Sequence, residues 1–206
     1  MRSFITGIDQ LSKMVGHAFA WCIIILTLGT SYEVFMRYLL NDPTSWAFDM
    51  SYVLYGALFM MAGPYTLSRN AHVRADIFYR LWKPVTQARL EFVLYFLFYF
   101  PGVLALVFYG YSYGADAMRV REASVYSPVG LPVWPLKMLI PIAGVLLTLQ
   151  GIAEVLRCVI CMREGQWPPR LHDVEELETQ LARGETPAQV YLDPEQGVQK
   201  RGAKSE

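Results

Sequence analysis

Four long stretches of this chain carry no Asp, Glu, Lys or Arg, and no other feature restricts its fold so severely. They are residues 14–32, 50–68, 92–115 and 138–153, the last bounded by Lys137 and Glu154. A helix rising about 1.5 Å per residue needs roughly 20 apolar residues to cross a hydrocarbon core. Backbone polar groups have no water to pair with there, so each run must close its hydrogen bonds internally. The expected fold is all-α, an integral membrane protein with four transmembrane helices at residues 14–36, 48–68, 88–113 and 134–160. Interfacial amphipathic helices and a partly disordered C-terminal tail complete it. Residues 1–163 form the membrane domain and 164–206 a cytoplasmic tail with a short helix over 171–183.

Composition removes the competing classes. Hydrophobic residues make up 54% and charged ones 17%, against a usual charged share of about 25% in soluble domains. Eighteen basic and eighteen acidic side chains cancel, leaving no basic field to gather phosphates, so nucleic acid is not an expected partner. Three cysteines are too few for a disulfide framework. Ala18-Phe19-Ala20 resembles a cleavage site but lies at the start of the first apolar run, so an uncleaved first helix is expected.

Basic residues set the orientation. Arg2, Lys13, Arg69, Arg74, Arg80, Lys83, Arg89, Arg157, Arg163 and Arg170 fall on one side, and Arg37, Arg119, Arg121 and Lys137 on the other. Both termini are therefore expected in the cytoplasm. Phe4, Ile8, Leu11 and Val15 suggest a short interfacial helix before the first span, and Ile77, Phe78, Leu81, Trp82 and Val85 a second along the cytoplasmic surface. Pro84 suits the first turn of the third long helix. Thr44 or Ser45 is placed to cap the second span. The segment from Asp116 to Pro135 reads as an ordered outer loop carrying Trp134 at the interface, and the tail helix begins at a capping box of Asp173 and Glu176.

Ionisable residues inside a membrane are by default functional candidates. Of the ionisable residues in or beside the uncharged runs, His17, Glu33 and Glu154 are the candidates, all near an end. Glu33 and Arg37 share a helix face, and Asp49 across the short turn is within reach of Arg37. The expectation is an arginine held by two carboxylates, clamping the hairpin and presenting Trp46 at the interface. His72, Arg74 and Asp76 alternate after the second span and read as ion-pairing and headgroup contacts. Cys158 and Cys161 have CxxC spacing, but without a second pair they read as two reduced thiols. No metal site and no haem are expected. Pro64, Pro101 and Pro141 should bend their helices. Gly56 with Gly63, Gly110 with Gly114, and Gly144 with Gly151 lie pairwise on one face and permit close helix contact, within this chain or against another protein.

Three motifs in order carry a family resemblance. Glu33-Val34-Phe35-Met36-Arg37-Tyr38 with Asn41, Pro43, Ser45-Trp46 and Asp49 resembles the first hairpin of the small permease subunit, DctQ type, of tripartite ATP-independent periplasmic (TRAP) transporters. His72-Val73-Arg74-Ala75-Asp76 is similar to the motif after that family's second span. The loop Ser127-Pro128-Val129-Gly130-Leu131-Pro132-Val133-Trp134-Pro135-Leu136-Lys137 resembles its entry into the fourth. The resemblance implies a Gram-negative inner-membrane protein without cofactor or catalysis. Its partners would be a large permease membrane subunit, a periplasmic substrate-binding protein and the lipid bilayer, working in sodium-driven uptake of an organic acid. The competing readings are a redox or enzymatic four-helix subunit using His17, His72 or the cysteine pair, and a free-standing small transporter.

Overall fold

Helix α1 runs unbroken from Arg2 to Leu39 in this computed structural model, which describes residues 2–69 and 82–168. At 38 residues it is about 57 Å long, nearly twice a hydrocarbon core of about 30 Å. Its N-terminal turns are thus not a separate interfacial helix. Ile5, Ile8, Asp9 and Ser12 recur at helical spacing and face inward, with Ile5 and Ile8 packed against Ala153 and Ile160. That inward stripe keeps the segment in line with the span instead of laying it on the surface. Thr27 and Thr30 donate back to the Ile23 and Leu26 carbonyls at 2.8 Å, which hides two exposed hydroxyls from an apolar surrounding.

Asn41, in the left-handed region at φ +52°, turns the chain, and the Asp42 amide donates to the Met36 carbonyl at 3.1 Å. Helix α2, Ala47–Ser68, follows. Trp46 is its N-cap residue, and neither Thr44 nor Ser45 supplies a side-chain cap. Helix α3 spans Pro84–Arg119. Lys83 is extended at its start, as a residue before proline must be, and Pro84 occupies the first turn. Within α3, Tyr95–Tyr99 forms a π turn just ahead of Pro101. The wider turn absorbs the hydrogen bond that the proline cannot donate. Helix α4, Trp134–Glu164, ends at Gly165, whose φ of +76° and N–H donated to the Cys161 carbonyl at 2.8 Å make a C-terminal cap.

Three of these helices are long and apolar enough to cross a membrane: Arg2–Leu39, Pro84–Arg119 and Trp134–Glu164. Helix α2 has sufficient length at 22 residues, but Asp49, Tyr52, Tyr55, Tyr65 and Pro64 dilute its apolar character. Helix α4 sits in the middle, touching α1, α2 and α3, while α1 packs on α2. Glycine lets α3 come close: a Cβ on Gly144 would stand 3.3 Å from the Val107 backbone nitrogen, and one on Gly110 would stand 3.4 Å from that of Pro141. Both glycines therefore serve packing within the chain, as does Gly56 against Leu136, whereas Gly63 makes only ordinary contact. The outward faces carry large exposed apolar side chains, among them Trp21, Leu28, Phe59, Phe98 and Phe108. Surfaces of this extent are stable against lipid or another apolar partner and not against water.

Candidate functional site

Polar side chains of the described residues gather at the two ends of the bundle. At the end where α1 turns into α2, Glu33 is the hub. Its Oε1 accepts from the Arg37 guanidinium at 2.6 Å, and its Oε2 accepts from the Thr44 amide at 3.0 Å and from the Thr44 hydroxyl. A helix turn brings Glu33 and Arg37 together, and the bend at Asn41 returns Thr44 to the same carboxylate. Asp49 is not part of this group, and no ion pair joins it to Arg37 among the described residues. Only 2% exposed, it accepts from the Ser124 hydroxyl at 2.6 Å and from the Ser127 hydroxyl. The expected arginine between two carboxylates is thus replaced by two separate clusters. An acid at the first turn of α2 projects toward the loop between α3 and α4, because that loop, not α1, covers the helix end.

The loop itself is ordered. Ala123 and Pro132 form an isolated antiparallel bridge. The Ser124 amide donates to the Leu131 carbonyl at 2.8 Å and the Val133 amide to the Glu122 carbonyl at 2.9 Å. Gly130 sits at φ +61°, in the left-handed region that closes the turn after Pro128. Pro128 and Pro132 are exposed and Trp134 half-buried at the start of α4. Lys137 donates to both oxygens of Glu122 at 2.6 Å and lies 4.2 Å over the Tyr113 ring. The loop is thereby pinned to α2 through Asp49 and to α4 through Lys137. Trp46 stacks on Tyr32 at 6.3 Å. Substituting Asp49 by Ala is expected to leave the helices in place but raise hydrogen exchange at Ser124 to Leu131 several-fold. Unchanged protection of those amides would show that the loop holds without the acid.

At the opposite end the structure brings together residues that sequence reasoning leaves apart. The Arg157 guanidinium donates to Asp9 of α1 and to Glu154 one turn away. Gln150 donates to the other Asp9 oxygen at 2.9 Å and accepts from the Ser12 hydroxyl at 2.9 Å. Arg157 is 2% exposed and Glu154 and Gln150 are fully buried. Gln150 is invisible to a reading confined to charged side chains. Asp9 reads as the solvent face of an amphipathic helix, although its spacing from Ile5 and Ser12 puts it on the inward stripe. An exposed Arg2–Glu164 pair at 2.8 Å closes the same end.

The remaining candidates divide between packing and positions outside the described residues. Cys158 and Cys161 form no disulfide and are buried thiols packed with Ala88 of α3; their sulfurs approach the Glu91 carboxylate at 3.8 Å and the Pro84 carbonyl at 3.6 Å. His17 packs edge-on to Tyr65 at 5.5 Å. Trp82 is exposed, and its carbonyl accepts from Gln87 at 3.1 Å. His72, Arg74, Asp76 and the tail helix expected over 171–183 lie outside the described residues.

Comparison with known proteins gives one family. The family model described as tripartite ATP-independent periplasmic transporters, DctQ component, matches residues 26–161, a stretch that holds Glu33, Asp49, the ordered loop and Arg157 but stops short of Asp9. No curated protein matches the chain.

Proposed function

Because the chain belongs to the DctQ component family of the tripartite ATP-independent periplasmic transporters, and so is a small permease component, we propose that it acts as a non-catalytic scaffold. In this reading it pairs with a large permease membrane subunit and supports sodium-driven uptake of an organic acid delivered by a periplasmic binding protein. The observation that carries the proposal is where the polar groups point. Asp9, Glu33, Asp49, Lys137 and Arg157 all pair within the chain, while the broad outward faces are apolar. A carrier presents polar groups to a substrate cavity; a scaffold spends them on fixing its own helices.

The membrane arrangement proposed is four spans, with α2 as the second, in a bacterial inner membrane with both termini cytoplasmic. The Arg2–Glu164 pair supports an even number, since it puts the start of α1 and the end of α4 at one level. The excess of Lys and Arg in the segments at that end supports the orientation. Labelling of single cysteines placed at residue 4 and residue 126 tests this: a membrane-impermeant reagent added outside spheroplasts should reach the second and not the first.

Uptake into proteoliposomes tests the function itself. Sodium-dependent accumulation should require this chain, the large subunit and the binding protein together. Accumulation with this chain alone would overturn the scaffold. Within the scaffold, Glu33→Ala should lower the yield of the assembled pair more than Arg37→Ala, because Glu33 holds both Arg37 and Thr44 while the arginine side chain is 56% exposed. An altered apparent substrate constant at normal complex levels in either variant would place the cluster in substrate binding instead.

A further inference from the structure

We infer, on the scaffold reading, that the outward stripe of α2 formed by Phe48, Tyr52, Tyr55 and Phe59 is the seat of a transmembrane helix of the large permease subunit. Spacings of four, three and four residues put these side chains on one side of α2, and all four are exposed. The helix packs on α1 and α4 with its other sides. At the outer end Tyr126 meets Phe48 edge-on at 5.9 Å, so the stripe continues onto the ordered loop that Asp49 holds in place. A protein seated on α2 would therefore meet an aromatic surface fixed at its outer end.

The phenols decide what covers the stripe. Tyr52 and Tyr55 are 51% and 60% exposed, and neither hydroxyl has a hydrogen-bond partner among the described residues. Other exposed hydroxyls of the long helices are satisfied by their own backbone: Thr27 and Thr30 of α1 and Ser112 of α3 donate to the carbonyl one turn earlier. A phenol hydroxyl stands too far from its backbone to do the same, so in hydrocarbon it forfeits a hydrogen bond. Tyr52 lies close to Asp49, but Tyr55 is about 12 Å inside the start of α2 at the helical rise. Its ring is stacked on Phe59, a further turn in, with centroids 6.3 Å apart, away from the headgroups. A neighbouring helix satisfies such a phenol through a hydroxyl or a carbonyl bared by a small residue. The outward stripe of α4 is the contrast: Ile142, Val145 and Ile152 are exposed and purely aliphatic, suited to acyl chains. A second copy of this chain fits α2 poorly, because no small side chain interrupts the stripe and a two-fold pair would set ring against ring with no hollow to receive either.

Coexpression of the two full-length subunits tests this by photocrosslinking in membranes and by affinity in detergent. Benzoylphenylalanine in place of Tyr55 should capture the large subunit, identified by mass spectrometry, and in place of Ile142 should not. Tyr52→Phe combined with Tyr55→Phe keeps the rings and removes only the hydroxyls. This chain should then insert at normal levels while its apparent dissociation constant for the large subunit rises roughly fivefold. Ile142→Ala should leave that constant unchanged. Crosslinks from position 55 to a second copy of this chain would overturn the inference in favour of self-association, and crosslinks to no protein in favour of lipid. An unchanged constant in the doubly substituted chain would overturn it as well. If the unaltered subunits copurify while position 55 is silent, the α2 face alone is wrong; if they never copurify, the scaffold reading falls with it.

Discussion

Arg157→Leu is expected to destabilise the membrane domain by about 3–5 kcal/mol, the usual cost of removing one partner from a buried ion cluster. The guanidinium is shared by Asp9 and Glu154, all three almost inaccessible. Leucine removes the guanidinium that both buried carboxylates share, and Asp9 keeps its bond from Gln150. The measurement is the unfolding midpoint of the detergent-purified chain, together with the amount recovered as a single species on gel filtration. Replacing the cluster as a whole, Asp9→Asn with Glu154→Gln and Arg157→Met, should restore most of the loss, because no charge then needs a partner. A wild-type midpoint for Arg157→Leu would mean that Asp9 and Glu154 are not charged together in the folded chain.

The second large effect is expected at the seam between α3 and α4. Gly144→Leu places a branched side chain where a Cβ alone already meets the Val107 side chain at 2.8 Å and its backbone nitrogen at 3.3 Å. A side chain can turn aside; a helical backbone cannot, so α3 must lift off α4. Overpacking of this kind costs about 1–3 kcal/mol, and α3 has little else to lean on, since its packing is almost entirely against α4. The contrast is Gly29, where an added Cβ would meet nothing within 4 Å. Gly29→Ala should be neutral or stabilise by about 0.5–1 kcal/mol through reduced backbone entropy. If both variants unfold alike, close approach of α3 to α4 is not what holds the bundle.

Local spacing makes part of this molecule legible. Glu33 and Arg37 are one helical turn apart, and their ion pair follows from the helix alone. Pro84 at the opening of α3 and the order of the loop around Gly130 follow equally from rules that act over a few residues. Asp49 shows where such rules end. Proximity in sequence favours Arg37, whereas its actual partners Ser124 and Ser127 lie 75 and 78 residues away. Asp9 is further still from Arg157, 148 residues, and nothing in an isolated amphipathic segment says whether its acid faces water or another helix.

The sequence by itself therefore determined that the chain is helical and belongs in a membrane. Uncharged length and backbone hydrogen bonding are properties of each segment, independent of what lies beside it. Which helix is central, which glycines serve contact within the chain, and which carboxylates are buried were decided only by tertiary structure. Those properties arise between segments: a Cβ too many at Gly144 or a guanidinium opposite Asp9 has meaning only once α4 lies against α3 and α1.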